Sequence, residues 1–151
     1  MFKRLTVLMA VLALVLSTTG MAFSQEKAAD VVAAKTKGMV AAAKGTIKMV
    51  SAADVKKAID SKEKAIFLDV RDGGEFAAGH LPGAVNVSRG TLEFKVAGAI
   101  PDLNAKVYVY CATAMRSALA TKTLNDLGYN NAVLMDAQYA DWVKAGYPVQ
   151  R

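Results

Sequence analysis

The sequence predicts an α/β protein with a largely parallel sheet, on three observations. From Thr46 onward, short β-branched or apolar runs alternate with helical patterns. The segments between successive runs are long enough to hold a helix, as parallel crossovers require. A single cysteine leaves no internal disulfide to substitute for a packed core, and 54% hydrophobic residues with three prolines exclude a disordered chain. At 151 residues the chain is about one domain long.

In chain order, residues 1–24 read as a secretory signal peptide. Lys3 and Arg4 form a positive start, Leu5 to Leu16 is apolar apart from Thr6, and Ala22-Phe23-Ser24 supplies a small-x-small cleavage site before Gln25. The expected location is therefore periplasmic or otherwise exported, with membrane attachment only if the leader stays uncleaved. Cleavage would lower the net charge from +6 to +4 by removing Lys3 and Arg4. The remaining lysines are scattered without an arginine-rich run, which argues against nucleic acid as a partner.

Residues 25–45 are rich in Ala and Lys and predict a helical extension carrying Val31, Val32, Met39 and Val40, broken by Gly38 and closed by Gly45. Packing on the domain, spacing from a membrane and fraying all remain open for it. Residues 46–151 form the predicted domain. Ile47–Val50 is a short strand, and Ser51-Ala52-Ala53-Asp54 a capping box opening a helix through Ile59. Ala65–Val70 and Ala84–Val87 are strands, and Thr91–Ala99 a helix that stops before Pro101. Lys106–Tyr110 is β-branched and aromatic, the strongest strand in the chain. Ser117–Leu127 is a helix with Ala120, Leu124 and Leu127 on one face, ended by Gly128. Ala132–Met135 is the fifth strand, and Ala137–Ala145 a last helix ended by Gly146.

Cys111 is the chemically interesting residue. It follows directly on a strand and precedes a helix, and ligands of open parallel sheets bind at the carboxyl ends of the strands. In the loop Cys111-Ala112-Thr113-Ala114-Met115-Arg116, backbone N–H groups can converge on one point, and the helix start adds its positive end. Both effects favour a thiolate, with Arg116 and Ser117 as further donors to an anionic group. The competing reading of the position alone is an inert, packed cysteine. One histidine and one cysteine argue against an all-protein zinc site, so no metal and no cofactor is expected.

Four motifs in order, Leu68-Asp69-Val70-Arg71, Glu75-Phe76, Gly79-His80-Leu81-Pro82-Gly83-Ala84-Val85-Asn86-Val87 and Cys111-x4-Arg116-Ser117, closely resemble the rhodanese family. The end of the chain, with Val133-Leu134-Met135, Trp142, Gly146 and Pro148, looks like that family's C-terminal end. The resemblance implies a five-stranded, mainly parallel sheet flanked by helices. It also implies sulfur transfer through a persulfide on Cys111, from a donor such as thiosulfate to cyanide or a thiol. The active loop would be Ala112 to Ser117, with the loop amides holding the anionic persulfide. Phosphatases and arsenate reductases of similar scaffold carry Cys-x5-Arg, one residue longer than the loop here.

The sequence departs from that family at three places. Ala114 stands where a glycine is usual, Ala112 where a basic residue is frequent, and Asp136-Ala137 where a glycine pair is common. A positive φ at Ala114 would cost about 1–2 kcal/mol, and Asp136 near the pocket would oppose anion binding. Asp69, Arg71 and Glu75 are expected as an ion-pair frame beside the loop, and Arg89 at its entrance with Glu93. His80 is expected to fix its own turn rather than to pair with Cys111. A non-enzymatic persulfide carrier or binding module with an envelope protein as partner is the alternative function.

Overall fold

The computed structural model describes residues 27–151; the leader expected over 1–24 lies outside them. Helix α1 covers 27–44 and runs through Gly38, where a break was expected. Residues 27–38 and residues 39–151 are separate compact units, and the account below concerns the second. Its elements are β1 (Met49–Val50), α2 (Ala52–Asp60), β2 (Ile66–Asp69), α3 (Gly73–Ala78) and β3 (Val85–Asn86). A 3-10 turn at Arg89–Thr91 leads into α4 (Leu92–Ala99), followed by β4 (Val107–Tyr110), α5 (Met115–Asp126), β5 (Ala132–Met135) and α6 (Tyr139–Lys144).

The strands form one sheet in the order β1-β5-β4-β2-β3, and every pairing is parallel. The mainly parallel sheet expected from the sequence is therefore parallel throughout. Strand β4 lies at its centre and is buried on both faces, which its alternation explains. Val107 and Val109 enter one cluster with Leu68, Val96, Ala120 and Leu124. Tyr108 and Tyr110 enter the other with Val55, Phe67, Met135 and Trp142. Helices α4 and α5 thus cover one face, and α2 and α6 the other. The last turns of α1 belong to the first side, where Val40 packs with Ile47, Ala118 and Leu134.

The helix ends follow local chemistry. Ser51 Oγ accepts from the Asp54 N–H at 3.2 Å while Asp54 accepts from the Ser51 N–H at 3.0 Å, the expected capping box. Gly128, at φ +100°, closes α5 with two reversed bonds, from its own N–H to Asn125 O and from the Tyr129 N–H to Leu124 O. Leu127, expected on the inner face of α5, is instead 43% exposed, at the cap position just past the last helical residue, Asp126. Helix α3 was not anticipated.

Candidate active site

Because β3 and β2 are reached on one side of the sheet and β5 and β1 lie on the other, the chain reverses direction between β2 and β4. The loops leaving these two strands part there and open a crevice at their carboxyl ends. Asp69 ends β2 and is in register with Tyr110, which ends β4. Cys111 comes next, so the cysteine and the segment 70–75 face each other across the switch point.

Helix α5 begins at Met115, two residues before the expected start, and Ala114 takes the position before it in the left-handed region, at φ 62°. The strain anticipated for an alanine there is present. Ser117 thereby becomes the third helical residue, whose N–H lacks an intrahelical acceptor. That N–H donates to Cys111 Sγ at 3.3 Å, and the Ser117 hydroxyl donates to the same sulfur at 3.2 Å. The sulfur therefore stands where a capping oxygen would, in the positive end of a 12-residue helix. Cys111, Ala114 and Ser117 are buried, Ala112 and Arg116 are half-buried, and Thr113 and Met115 are exposed. Cys111 itself has no exposed surface. The Ala112 carbonyl accepts from the Tyr139 N–H at 3.0 Å, tying the loop to the start of α6.

Asp69, Arg71 and Glu75 do not form one frame; they belong to two separate pairs. Arg71 Nε and Nη2 donate to the Asp69 carboxylate, Nη2 at 2.6 Å, and Nη2 also donates to Gly79 O at 2.7 Å. Its guanidinium lies 4.0 Å above the Tyr139 ring. Burial opposes the Arg71 charge, but the bonds and charge of Asp69 outweigh it and hold the guanidinium above its ordinary pKa. Beside it burial pushes the Tyr110 phenol well up, so it stays neutral and accepts from the Leu81 N–H at 3.1 Å. Glu75, by contrast, accepts from Arg116 in a two-pronged pair at 2.8 and 2.9 Å. Those bonds hold its carboxyl below the usual carboxylate range and raise Arg116 in turn. Arg116 also reaches Asp72 at 3.5 Å.

Arg89 is not brought to the loop by its side chain. Its guanidinium engages Glu93 at 2.9 Å and Thr123 at 3.3 Å, two turns along α5 from Met115. His80 fixes its turn: Nδ1–H donates to Phe76 O at 2.9 Å, and the ring stacks on Phe76 at 3.8 Å. Four contributors escaped sequence reasoning. Asn86 donates to the carbonyls of both Asp69 and Arg71 at 2.9 Å, Ser88 donates to that of Arg71, and Tyr139 covers the Arg71 guanidinium. Asp72 starts α3, and its N–H donates to Glu75 at 3.2 Å. An amide between two apolar strand residues, Val85 and Val87, was the available signal for Asn86, and Asp72-x-x-Glu75 for the helix start.

Comparison with known proteins agrees with this fold. Residues 51–145 match the rhodanese-like domain family. Over 105 residues the chain is 29% identical to the thiosulfate:glutathione sulfurtransferase of Saccharomyces cerevisiae, covering 62% of this chain and 76% of that protein. It spans only 46% of a putative sulfur carrier protein of Bacillus subtilis, 31% identical over 87 residues, or 58% of this chain. Among solved structures, the polysulfide-sulfur transferase homodimer of Wolinella succinogenes superposes with a TM-score of 0.66 at 32% identity, covering 78% of this chain and 88% of that one. A Rhodopseudomonas palustris protein described as of unknown function and a possible tyrosine phosphatase superposes with a TM-score of 0.71 at 29% identity, over 76% and 93% of the two chains. With the family match spanning most of the chain and sulfurtransferases among its relatives, the protein belongs to the rhodanese-like domain family.

Proposed function

We propose that this protein is an exported sulfurtransferase in which Cys111 carries sulfane sulfur as a persulfide. The observation that carries the reading is the sulfur's position at the start of α5, with the Ser117 N–H and hydroxyl both donating to it. Donors already aimed at the sulfur need no reorganisation when negative charge resides there. With thiosulfate as donor, the Cys111 thiolate attacks the outer sulfur, a new S–S bond forms, and the old one breaks with its electron pair leaving on sulfite. The anionic persulfide remains at the helix end. Cyanide or a thiol then takes the outer sulfur and regenerates the thiolate. The Cys-x4-Arg loop, one residue shorter than the Cys-x5-Arg loop that makes room for a tetrahedral phosphate, supports sulfur over phosphate. Export rests on the basic pair and apolar run of residues 1–24.

The second reading, a persulfide carrier or binding module serving an envelope protein, draws on the complete burial of Cys111 and on an uncharged Ala112 beside it. Intact-protein mass measured before and after thiosulfate decides the matter. A gain of one sulfur that cyanide removes, absent in Cys111→Ser, is the expected result. Loading without release to small acceptors selects the carrier, and no loading from thiosulfate or polysulfide selects the binding module.

A further inference from the structure

The ion pair between Lys44 and Asp136 lies beside the cysteine loop although its partners are 92 residues apart. Strands β4 and β5 pair Val109 with Leu134, so two residues further along each chain bring Cys111 level with Asp136. Neighbouring strands are about 4.8 Å apart. Past the strands the two segments are joined by the Tyr139 N–H, which donates to Ala112 O at 3.0 Å, while the Asp136 N–H holds the end of β5 to β1 at Val50 O, also at 3.0 Å. Alternation along the strands places Asp136 on the face of Leu134 and Ala132, and Cys111 on the face of Val109, the side covered by α5. Lys44 arrives from the end of α1, which Val40 anchors against Ala118 and Leu134 on that same face.

Both partners are partly exposed, at 31% and 40%, so the pair adds little to stability. Its effect on the potential over the loop is larger. The other charged side chains described around the loop are paired among themselves, Arg116 with Glu75 and Asp72, and Arg71 with Asp69. Lys44 and Asp136 together contribute no net charge. Removing the lysine leaves a carboxylate one strand from the sulfur, and removing the aspartate leaves an ammonium.

We propose that Lys44 and Asp136 set the electrostatic potential over Cys111, so that the lysine at the end of α1 is what allows anionic sulfur donors to approach a cysteine flanked by a carboxylate. The inference rests on Cys111 as the sulfur-accepting residue. It is tested on the full chain, with Lys44→Gln, Asp136→Asn and the double variant. For thiosulfate, a dianion, kcat/KM at low ionic strength falls about fourfold in Lys44→Gln and rises about fourfold in Asp136→Asn. The double variant returns close to wild type, and the differences fade in about 1 M salt, where screening acts within about 3 Å. A pair that only braces the structure would lower activity in both single variants, and that result overturns the proposal.

Alkylation of Cys111 supplies a readout independent of sulfur transfer. The rate ratio of iodoacetate, an anion, to neutral iodoacetamide falls about twofold in Lys44→Gln and rises about twofold in Asp136→Asn. A cysteine that alkylates with an unchanged ratio overturns this inference alone. The expected ratios without any sulfur loading keep the inference about the potential and sink only the sulfurtransferase reading. A Cys111 inert to both reagents in the native protein removes both.

Discussion

Two arginine–carboxylate pairs flank the switch point, and they differ in almost everything except charge. Asp69 and Arg71 are two residues apart, nearly sealed from solvent, and satisfied on every side by Gly79 O and the Tyr139 ring. Arg116 and Glu75 are 41 residues apart and each about one-third exposed. The first pair holds the end of β2 in shape, since the Arg71 carbonyl it positions receives bonds from Asn86 and Ser88 on the β3 side. The second spans the crevice and joins the cysteine-bearing loop to α3. Burial, more than geometry, decides what each contributes: a buried charge cannot fall back on water when its partner goes, whereas an exposed one can.

The largest expected effect follows from that asymmetry. Asp69→Asn leaves the Arg71 guanidinium buried beside a neutral amide, and should lower the unfolding free energy by about 3–5 kcal/mol in urea titration. Glu75→Gln should cost no more than about 1 kcal/mol, because its partner is screened by solvent. Equal losses in the two variants would erase the distinction between a structural and a bridging pair.

An intermediate effect belongs to the loop that the second pair adjoins. Ala114 adopts φ 62°, where its Cβ crowds the backbone. Ala114→Gly relieves that strain but adds freedom to the unfolded chain, so a net gain of up to about 1 kcal/mol is expected. Thermal unfolding measures it directly. An unchanged or lowered stability would mean that contacts of the buried Ala114 methyl group outweigh the strain, and that Arg116–Glu75 holds a relaxed loop.

Much of this arrangement is legible in the sequence where the signal is local. All five strands were predicted within two residues of their ends, because β-branched and apolar residues dominate each run. The capping box at Ser51 and the closing glycines 128 and 146 work through neighbours within a turn. Helix α3 escaped because Gly73 and Gly74 each cost about 1 kcal/mol of helix propensity, which hid the Asp72-x-x-Glu75 start. The early start of α5 escaped for a different reason. The N–H of its third residue, Ser117, is capped by the sulfur of Cys111, six residues back, and no local motif announces a cysteine in that role. Arg116 with Glu75 and Lys44 with Asp136 depend on crossovers that bring distant segments together, and spacing alone does not specify them. The placement of Cys111 to Ser117 between a strand and the start of a helix was legible because strand–loop–helix order is displayed in the sequence.

The smallest effect sharpens the comparison by pH. Arg116 holds the Glu75 carboxyl below its ordinary pKa, so the folded state binds that proton less readily than the unfolded chain does. The stabilisation from the pair is therefore fully present above the unfolded-state pKa and is lost as the pH falls through the folded one. In unfolding titrations from neutral to acid pH, wild type should exceed Glu75→Gln by a constant small margin that then closes over this acid window. Arg116 stays charged throughout, and once Glu75 is protonated the crevice keeps its cation without its partner. If the pair also steadies the cysteine loop, iodoacetamide should alkylate Cys111 faster in Glu75→Gln than in wild type at neutral pH. Matching neutral-pH rates would leave Arg116–Glu75 with a small stabilising role only, and would assign the shape of the loop to Ser117 and Tyr139.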